Sequence, residues 1–224
     1  MATWVTHLRV AKRILENLSQ TEIDETAFYI GSIAPDSGQM VDNFTYIPPK
    51  DVSHWKREDV SYEQRFLDNA KFYETYCADG IKGTDIKSFS FYLGYYVHIL
   101  TDTIFVRDVI HPFMREKGHD FWKANITTIR GGWYEVDFRF VATHKDFEPL
   151  KMLSMVEEFP NTYLDYFSYN DIFERVQNCV ELYSNSKINP DQVFLTITED
   201  SAYNMIGYMT ETITKILKEN HNII

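Results

Sequence analysis

The stretch with the clearest chemical content is Gly94-Tyr-Tyr-Val-His98-Ile-Leu-Thr-Asp102. Side chains four apart on a helix stack on one face, so His98 and Asp102 point the same way from an otherwise apolar segment. Burying an imidazole and a carboxylate without partners costs roughly several kcal/mol, so something must satisfy both. Such a pair often satisfies itself by hydrogen bonding to its partner or to nearby backbone. Three other residues add a metal to the reading. His7 sits on the apolar side of an N-terminal helix, flanked by Trp4, Leu8 and Ala11. Asp36 closes Gly31-Ser-Ile-Ala-Pro-Asp36, a turn bounded by Pro35 and Gly38, where a carboxylate is held rigidly. His54 lies in Ser-His-Trp inside a long polar and aromatic stretch. Singly, each is a core histidine or a turn aspartate; jointly they form the nitrogen and oxygen donor set that zinc accepts.

The elements that must bring these residues together read as helices. Trp4, His7, Leu8, Ala11, Ile14, Leu15 and Leu18 recur at steps of three and four, predicting a helix over 3–18. Residues 27–33 form a short apolar segment, and 39–60 read as irregular because Pro48-Pro49 forbids helix. Ser61 with Gln64 has the form of a capping box for a helix reaching about Cys77. Gly80 and Gly83 break the chain before a long helix over 85–110, whose broad apolar face suits a central position, with Pro112 near its end. Gly131-Gly132 reads as a further break before a helix over 133–143. Segments 147–159 and 171–184 follow, and Thr198 or Asp200 caps a last helix ending near Asn220. Residues 193–198 suit a strand by propensity but have no partner. The expected fold is one all-α, multi-helix bundle over residues 1–224, a single metal-binding domain.

Composition narrows the function. The net charge of -11 repels phosphate backbones and anionic lipid surfaces at long range, which argues against general nucleic-acid binding. A buried divalent metal still makes a local positive spot for one phosphate. Hydrophobic residues make up 44% of the chain, enough for a substantial core and too many for disorder. Cys77 and Cys179 form no CxxC pair and read as reduced thiols. The start Met-Ala-Thr-Trp-Val-Thr-His lacks a signal-peptide pattern, and no apolar run reaches membrane-spanning length, so cytoplasmic residence is the expectation.

Trp4 and His7, the Gly31–Asp36 turn, His54-Trp55, and Gly94 with His98-Ile-Leu-Thr-Asp102, in that order, resemble the zinc-dependent phospholipase C and single-strand nuclease superfamily. The bacterial intracellular phospholipase C-like branch is the nearest in pattern. The resemblance spans about the first 140 residues. It implies an all-α fold holding up to three zinc ions in a cleft, where metal-bound hydroxide attacks a phosphodiester or phosphomonoester. By this likeness Asp36, His54, His98 and Asp102 are ligands of one zinc. Asp102 would bridge to a second ion held partly by His7. The chain departs from the pattern in three places. Secreted relatives bind zinc through the amino group and carbonyl of an N-terminal Trp, whereas residues precede Trp4 here. Asp108, then His111, stand where a His is expected after the helical Asp. The later HxxxD or HxxxE pair is represented by Trp133-Tyr-Glu-Val-Asp137, which keeps only the carboxylate. Asp137 is therefore the remaining ligand candidate, with Glu135, Asp108 and His111 behind it. One or two zinc ions are expected, and a carboxylate-rich second position would suit Mn or Mg.

The resulting expectation is a metal-dependent phosphoester hydrolase acting on a small phosphoester or a phospholipid. Asp36 would also accept the proton of the attacking water. Arg107 reads as a surface ion pair rather than a phosphate ligand, and Lys117 and Arg130 as too sparse for a basic patch. His119, His144 and His221 read as exposed. Two rivals stand beside this reading. One is a metal-binding helical protein that has lost catalysis. The other is an HD-type phosphohydrolase, for which His119-Asp120 is the sole adjacent pair and lies in a polar stretch.

Overall fold

The breadth of apolar sequence before Pro112 has a direct consequence: the helix it forms runs through the interior. In the computed structural model of the chain, which describes residues 2–18, 22–42, 45–56, 70–80 and 84–219, that helix is α5 (Ile86–Phe105). It is buried almost continuously from Phe89 onward. Around it lie α1 (Trp4–Asn17), α2 (Glu25–Gly31), α4 (Ala70–Tyr76) and α10 (Glu199–Glu219). α3 (Lys50–Ser53), α6 (His111–Lys117), α7 (His119–Thr143), α8 (Glu148–Ser154) and α9 (Asp171–Ser184) complete the helices among the described residues.

Asp24 caps α2 by accepting from the Ala27 N–H, and Asp85 caps α5 by accepting from the Ser88 N–H. Among the described residues the α2–α5 contact is the most extensive between two helices. A Cβ on Gly31 would meet the Phe91 carbonyl oxygen at 2.1 Å, and one on Gly94 would meet the Phe28 carbonyl oxygen at 2.1 Å. Only glycine on both sides lets these backbones touch. That contact sets the C-terminal end of α2 beside His98.

The mostly helical expectation holds, with local differences. Residues 39–47 are not irregular: β1 (Gln39–Asp42) and β2 (Thr45–Ile47) pair antiparallel, with Gln39 opposite Ile47 and Met40 opposite Tyr46. Alternation in a short, exposed ribbon is too weak to read from sequence. Gly131-Gly132 does not break the chain; α7 passes straight through it. These glycines face the segment around Gln192 and Val193, so backbone packing there takes the place of side chains. Helicity also persists past α5, through a π-helical segment Val106–Ile110 into α6, which carries Pro112 in its first turn, where the missing N–H costs little. Residues 193–198 form no strand. The Ser61–Gln64 cap, Gly83, Asn220 and His221 lie outside the described residues. Both cysteines are free and buried. Among the described residues no helix is long and apolar enough to cross a membrane.

Candidate metal centre and adjoining cleft

Five of the six sequence-derived ligand residues converge. α1 supplies His7, the 3-10 turn Ala34–Asp36 supplies Asp36, the end of α3 supplies His54, and one face of α5 supplies His98 and Asp102. His54 Nε2 stands 3.5 Å from Asp36 Oδ1 and 3.6 Å from Asp102 Oδ2. His98 Nε2 is 3.6 Å from Asp102 Oδ2. His7 Nε2 lies 3.3 Å from Asp102 Oδ1, and its ring stacks on His98 at 3.7 Å. Two sets of donors fall close enough to share an ion: His7, His98 and Asp102, and Asp36, His54 and His98.

These contacts are poor hydrogen bonds, and the unsatisfied atoms say why. His7 Nδ1 and Nε2, His54 Nε2, His98 Nε2 and Asp102 Oδ2 are all buried without a hydrogen-bond partner. So many orphaned polar atoms at one point in a protein interior are what a bound cation would satisfy. Zinc fits the donors chemically. Bonds of about 2.0–2.1 Å in a tetrahedron put neighbouring donors about 3.3 Å apart, close to the spacings found here.

Second contacts aim the rings. His98 Nδ1 is 2.8 Å from the Ser32 carbonyl, so it carries the proton and leaves Nε2 as the lone pair facing the cluster. His54 Nδ1 is 2.9 Å from Ser53 Oγ. The Tyr95 hydroxyl donates to the Ser53 carbonyl, the Tyr166 hydroxyl donates to Tyr95, and the Trp55 indole donates to Tyr166. This chain of bonds pins the His54 turn, where Trp55 takes a left-handed backbone with φ 49°. Asp102 Oδ1 also accepts the Ala2 N–H at 2.8 Å.

The electrostatics match. Burial, helped by the neighbouring His98, pushes the His7 ring down to about 4 against the pull of Asp102, so it is neutral at physiological pH. Burial lowers His54 as well, against Asp36. Burial works to raise Asp36, but Lys50, then His54 and His98, outweigh it and hold the carboxyl well below its usual range. Burial is likewise outweighed at Asp102 by the His7 and His98 side chains. Neutral imidazoles beside ionised carboxylates are the protonation states that a metal requires.

Asp137 falls in neither group. It is fully buried, accepts from Tyr183 at 2.8 Å and Thr6 at 3.3 Å, and is raised to about 6, chiefly by burial. Glu135 is engaged by Arg139 and the Asn189 N–H, and Asp108 pairs with Arg107 at the surface, as its neighbourhood suggests. His111 is buried at the start of α6 and also falls in neither group. His119 and His144 are exposed.

Asp36 faces both the cluster and an open cleft of about 480 Å³. α7 lays Trp122, Ile126, Arg130, Trp133 and Tyr134 along this cleft, one stripe at helical spacing. Nothing in the sequence marks Trp122, Ile126 or Tyr134 as cleft residues, and Arg130 reads there as too sparse for a basic patch. Lys50 pairs with Asp36 Oδ1 at 3.1 Å, the Trp4 indole donates to Asp36 Oδ2 at 3.0 Å, and the Arg175 guanidinium lies over the Trp4 ring at 4.6 Å. Lys50 and Arg175 are 125 positions apart in sequence, so no local pattern joins them. Lys50 alone left a signal, one turn before His54.

Residues 6–187 match the family described as zinc dependent phospholipase C. No curated protein and no solved structure gave a significant match. The match covers most of the chain, and the chain belongs to that family, whose members are zinc-dependent phosphoesterases.

Proposed function

We propose that this member of the zinc-dependent phospholipase C family holds one zinc ion through Asp36, His54, His98 and Asp102 and hydrolyses a phosphoester in the cleft beside Asp36. The observation that carries the reading is the set of buried imidazole and carboxylate atoms without partners, meeting where a cleft opens. When bound, zinc lowers the pKa of a coordinated water towards about 7 and polarises a phosphoryl oxygen.

The remaining work falls to the chain. His98 has one free nitrogen, because Nδ1 is committed to Ser32, so both donor groups cannot each hold an ion through it. The main position draws on Asp36, His54 and His98, with Asp102 Oδ2, 3.6 Å from His54 Nε2 and from His98 Nε2, taken as its fourth donor. His7 Nε2 and Asp102 Oδ1 are left as a weaker second position, where Mn or Mg would also be accepted. With only one histidine there, the second ion is the more easily lost. Asp36 is the carboxylate shared by cluster and cleft, which makes it the group to orient the attacking water and take its proton. Lys50 keeps Asp36 ionised for that role. The Trp4 indole fixes its second oxygen. The apolar lining from Ile110, Trp122, Ile126 and Trp133 excludes bulk water and suits the hydrocarbon part of a phospholipid. The chain acts in this reading as a single metal-binding domain.

The test is turnover by the zinc-loaded protein of p-nitrophenyl phosphate, bis-p-nitrophenyl phosphate, and dispersions of phosphatidylcholine and of phosphatidylglycerol. At least one is expected to be hydrolysed, with activity removed by chelator and restored by zinc. A protein that holds stoichiometric zinc and turns over none of them would refute the reading.

A further inference from the structure

A protein of net charge -11 places three cationic side chains, Lys50, Arg130 and Arg175, on the walls of one cleft. Among the described residues a single carboxylate, Asp36, faces them. Lys50 is committed to that carboxylate at 3.1 Å. The two arginines are not. Arg130 is exposed at the rim and forms no ion pair among the described residues. Arg175 makes one long bond to the Gly38 carbonyl, at 3.4 Å, and its Nε is buried without a partner. Stacking on Trp4 holds this guanidinium in place while leaving donors unused.

The aromatic residues of the cleft point the same way. Quaternary ammonium groups are recognised by open aromatic faces, helped by nearby carboxylates. Here Arg175 lies over Trp4 at 4.6 Å and Lys50 over Tyr46 at 4.7 Å, so two of the available faces already carry the protein's own cations. A choline or ethanolamine head group would meet positive charge where it needs negative.

Resting on the phosphoesterase reading, we infer that the substrate carries a second negative charge beside its scissile phosphoester, and that Arg130 and Arg175 select it. The second charge engages the unused guanidinium donors, ideally in bidentate fashion as carboxylates and phosphates do. A phospholipid with an anionic head group meets this requirement, and so does a free phosphoester bearing a further acid.

The experiment is calorimetric titration of the zinc-loaded full chain with three phosphomonoesters that differ in the charge of the rest of the molecule: phosphocholine, glycerol 3-phosphate and 3-phosphoglycerate. Affinity is expected to rise in that order, by about tenfold per step, since each step changes one charge within reach of the arginines. Arg130→Glu, at an exposed position, should fold normally and compress each step to about threefold or less; Arg175→Gln should act in the same direction. Competition by anionic-lipid vesicles but not phosphatidylcholine vesicles, with glycerol 3-phosphate as the displaced ligand, identifies a lipid source; indifference to both identifies a free metabolite. Equal affinity for the three probes, tightest binding of phosphocholine, no binding of any, or an unchanged order in Arg130→Glu would each overturn the inference. Ordered binding without hydrolysis of any substrate would instead overturn the phosphoesterase reading and leave the selectivity standing.

Discussion

His98 belongs to both donor groups, so replacing it by alanine tests the whole site. Two effects separate cleanly. In the metal-free protein, His98→Ala leaves the fully buried Ser32 backbone without the donor now 2.8 Å from its carbonyl and removes the ring stacked on His7. An unsatisfied buried acceptor costs about 1–3 kcal/mol and a partly collapsed cavity adds to it, so a loss of about 2–4 kcal/mol is expected. The second effect is the response to zinc. With free zinc at a hundred times its dissociation constant, binding to the native state stabilises the wild-type chain by about 2.7 kcal/mol. For a domain of this size that raises the melting temperature by about 5–10 °C. In His98→Ala the rise should fall to near zero, and elemental analysis should show the bound zinc lost. His119→Ala, exposed and outside both groups, should behave as wild type. A purely structural histidine would lower the starting melting temperature yet leave the zinc increment intact. That result, with wild-type zinc content, would refute the site.

Three further predictions follow from packing and titration. Gly94→Ala places a methyl 2.1 Å from the Phe28 carbonyl oxygen, a backbone atom that cannot rotate away, so chemical denaturation should show a loss of about 1–3 kcal/mol or more, with weaker zinc binding as α2 and Ser32 shift. His7 is lowered from 6.5 to about 4 by burial, so the unfolded chain binds the extra proton first, and the metal-free protein should lose about 3 kcal/mol as pH falls through that window; His7→Gln should flatten the profile. Asp137 has the opposite sign: raised from 3.8 to about 6, its contribution is present below pH 4 and fades as pH rises to 6. Asp137→Asn should therefore gain about 3 kcal/mol relative to wild type across that interval, and an unchanged difference would show that the carboxyl titrates normally.

What could be read from the sequence was whatever one helix or one turn encodes. The four-residue step from His98 to Asp102 is fixed by helical geometry, and Pro35 and Gly38 confine Asp36 whatever surrounds them. The apolar density of 86–105 likewise announces a buried helix. Gly131-Gly132 misled because glycine is both a helix breaker and a surface for close packing, and only the segment around Val193 decides between the two. Asp137 misled for a related reason: a carboxylate on an inward helix face needs partners, and Tyr183, on α9, supplies one just as a metal would. The cations of the cleft come from α3, α7 and α9, so their meeting is a property of the tertiary fold, invisible to any window along the chain.

The way the site is held explains why its polar atoms tolerate burial. Two of the three rings are fixed by groups that do not depend on the metal: His98 by the Ser32 carbonyl, and His54 by Ser53 on a turn tied to Tyr95, Tyr166 and Trp55, while His7 is held by burial and by stacking on His98. The close backbone approaches of Gly31 to Phe91 and of Gly94 to Phe28 hold α2, and with it Ser32, against α5. Five unpartnered buried atoms at about 1–3 kcal/mol each are a large charge against a stability of about 5–15 kcal/mol. A fold that keeps them aligned must recover that cost on binding, and neutral imidazoles recover it from a divalent cation without first releasing a proton. His7, held near 4, should accordingly take no share in any pH dependence of zinc affinity between pH 7 and pH 6, so wild type and His7→Gln should show parallel profiles there. A wild-type profile steeper than that of His7→Gln in this interval would mean that zinc must displace a proton from His7, and that the ring is held by an ion pair to Asp102 rather than poised for a metal.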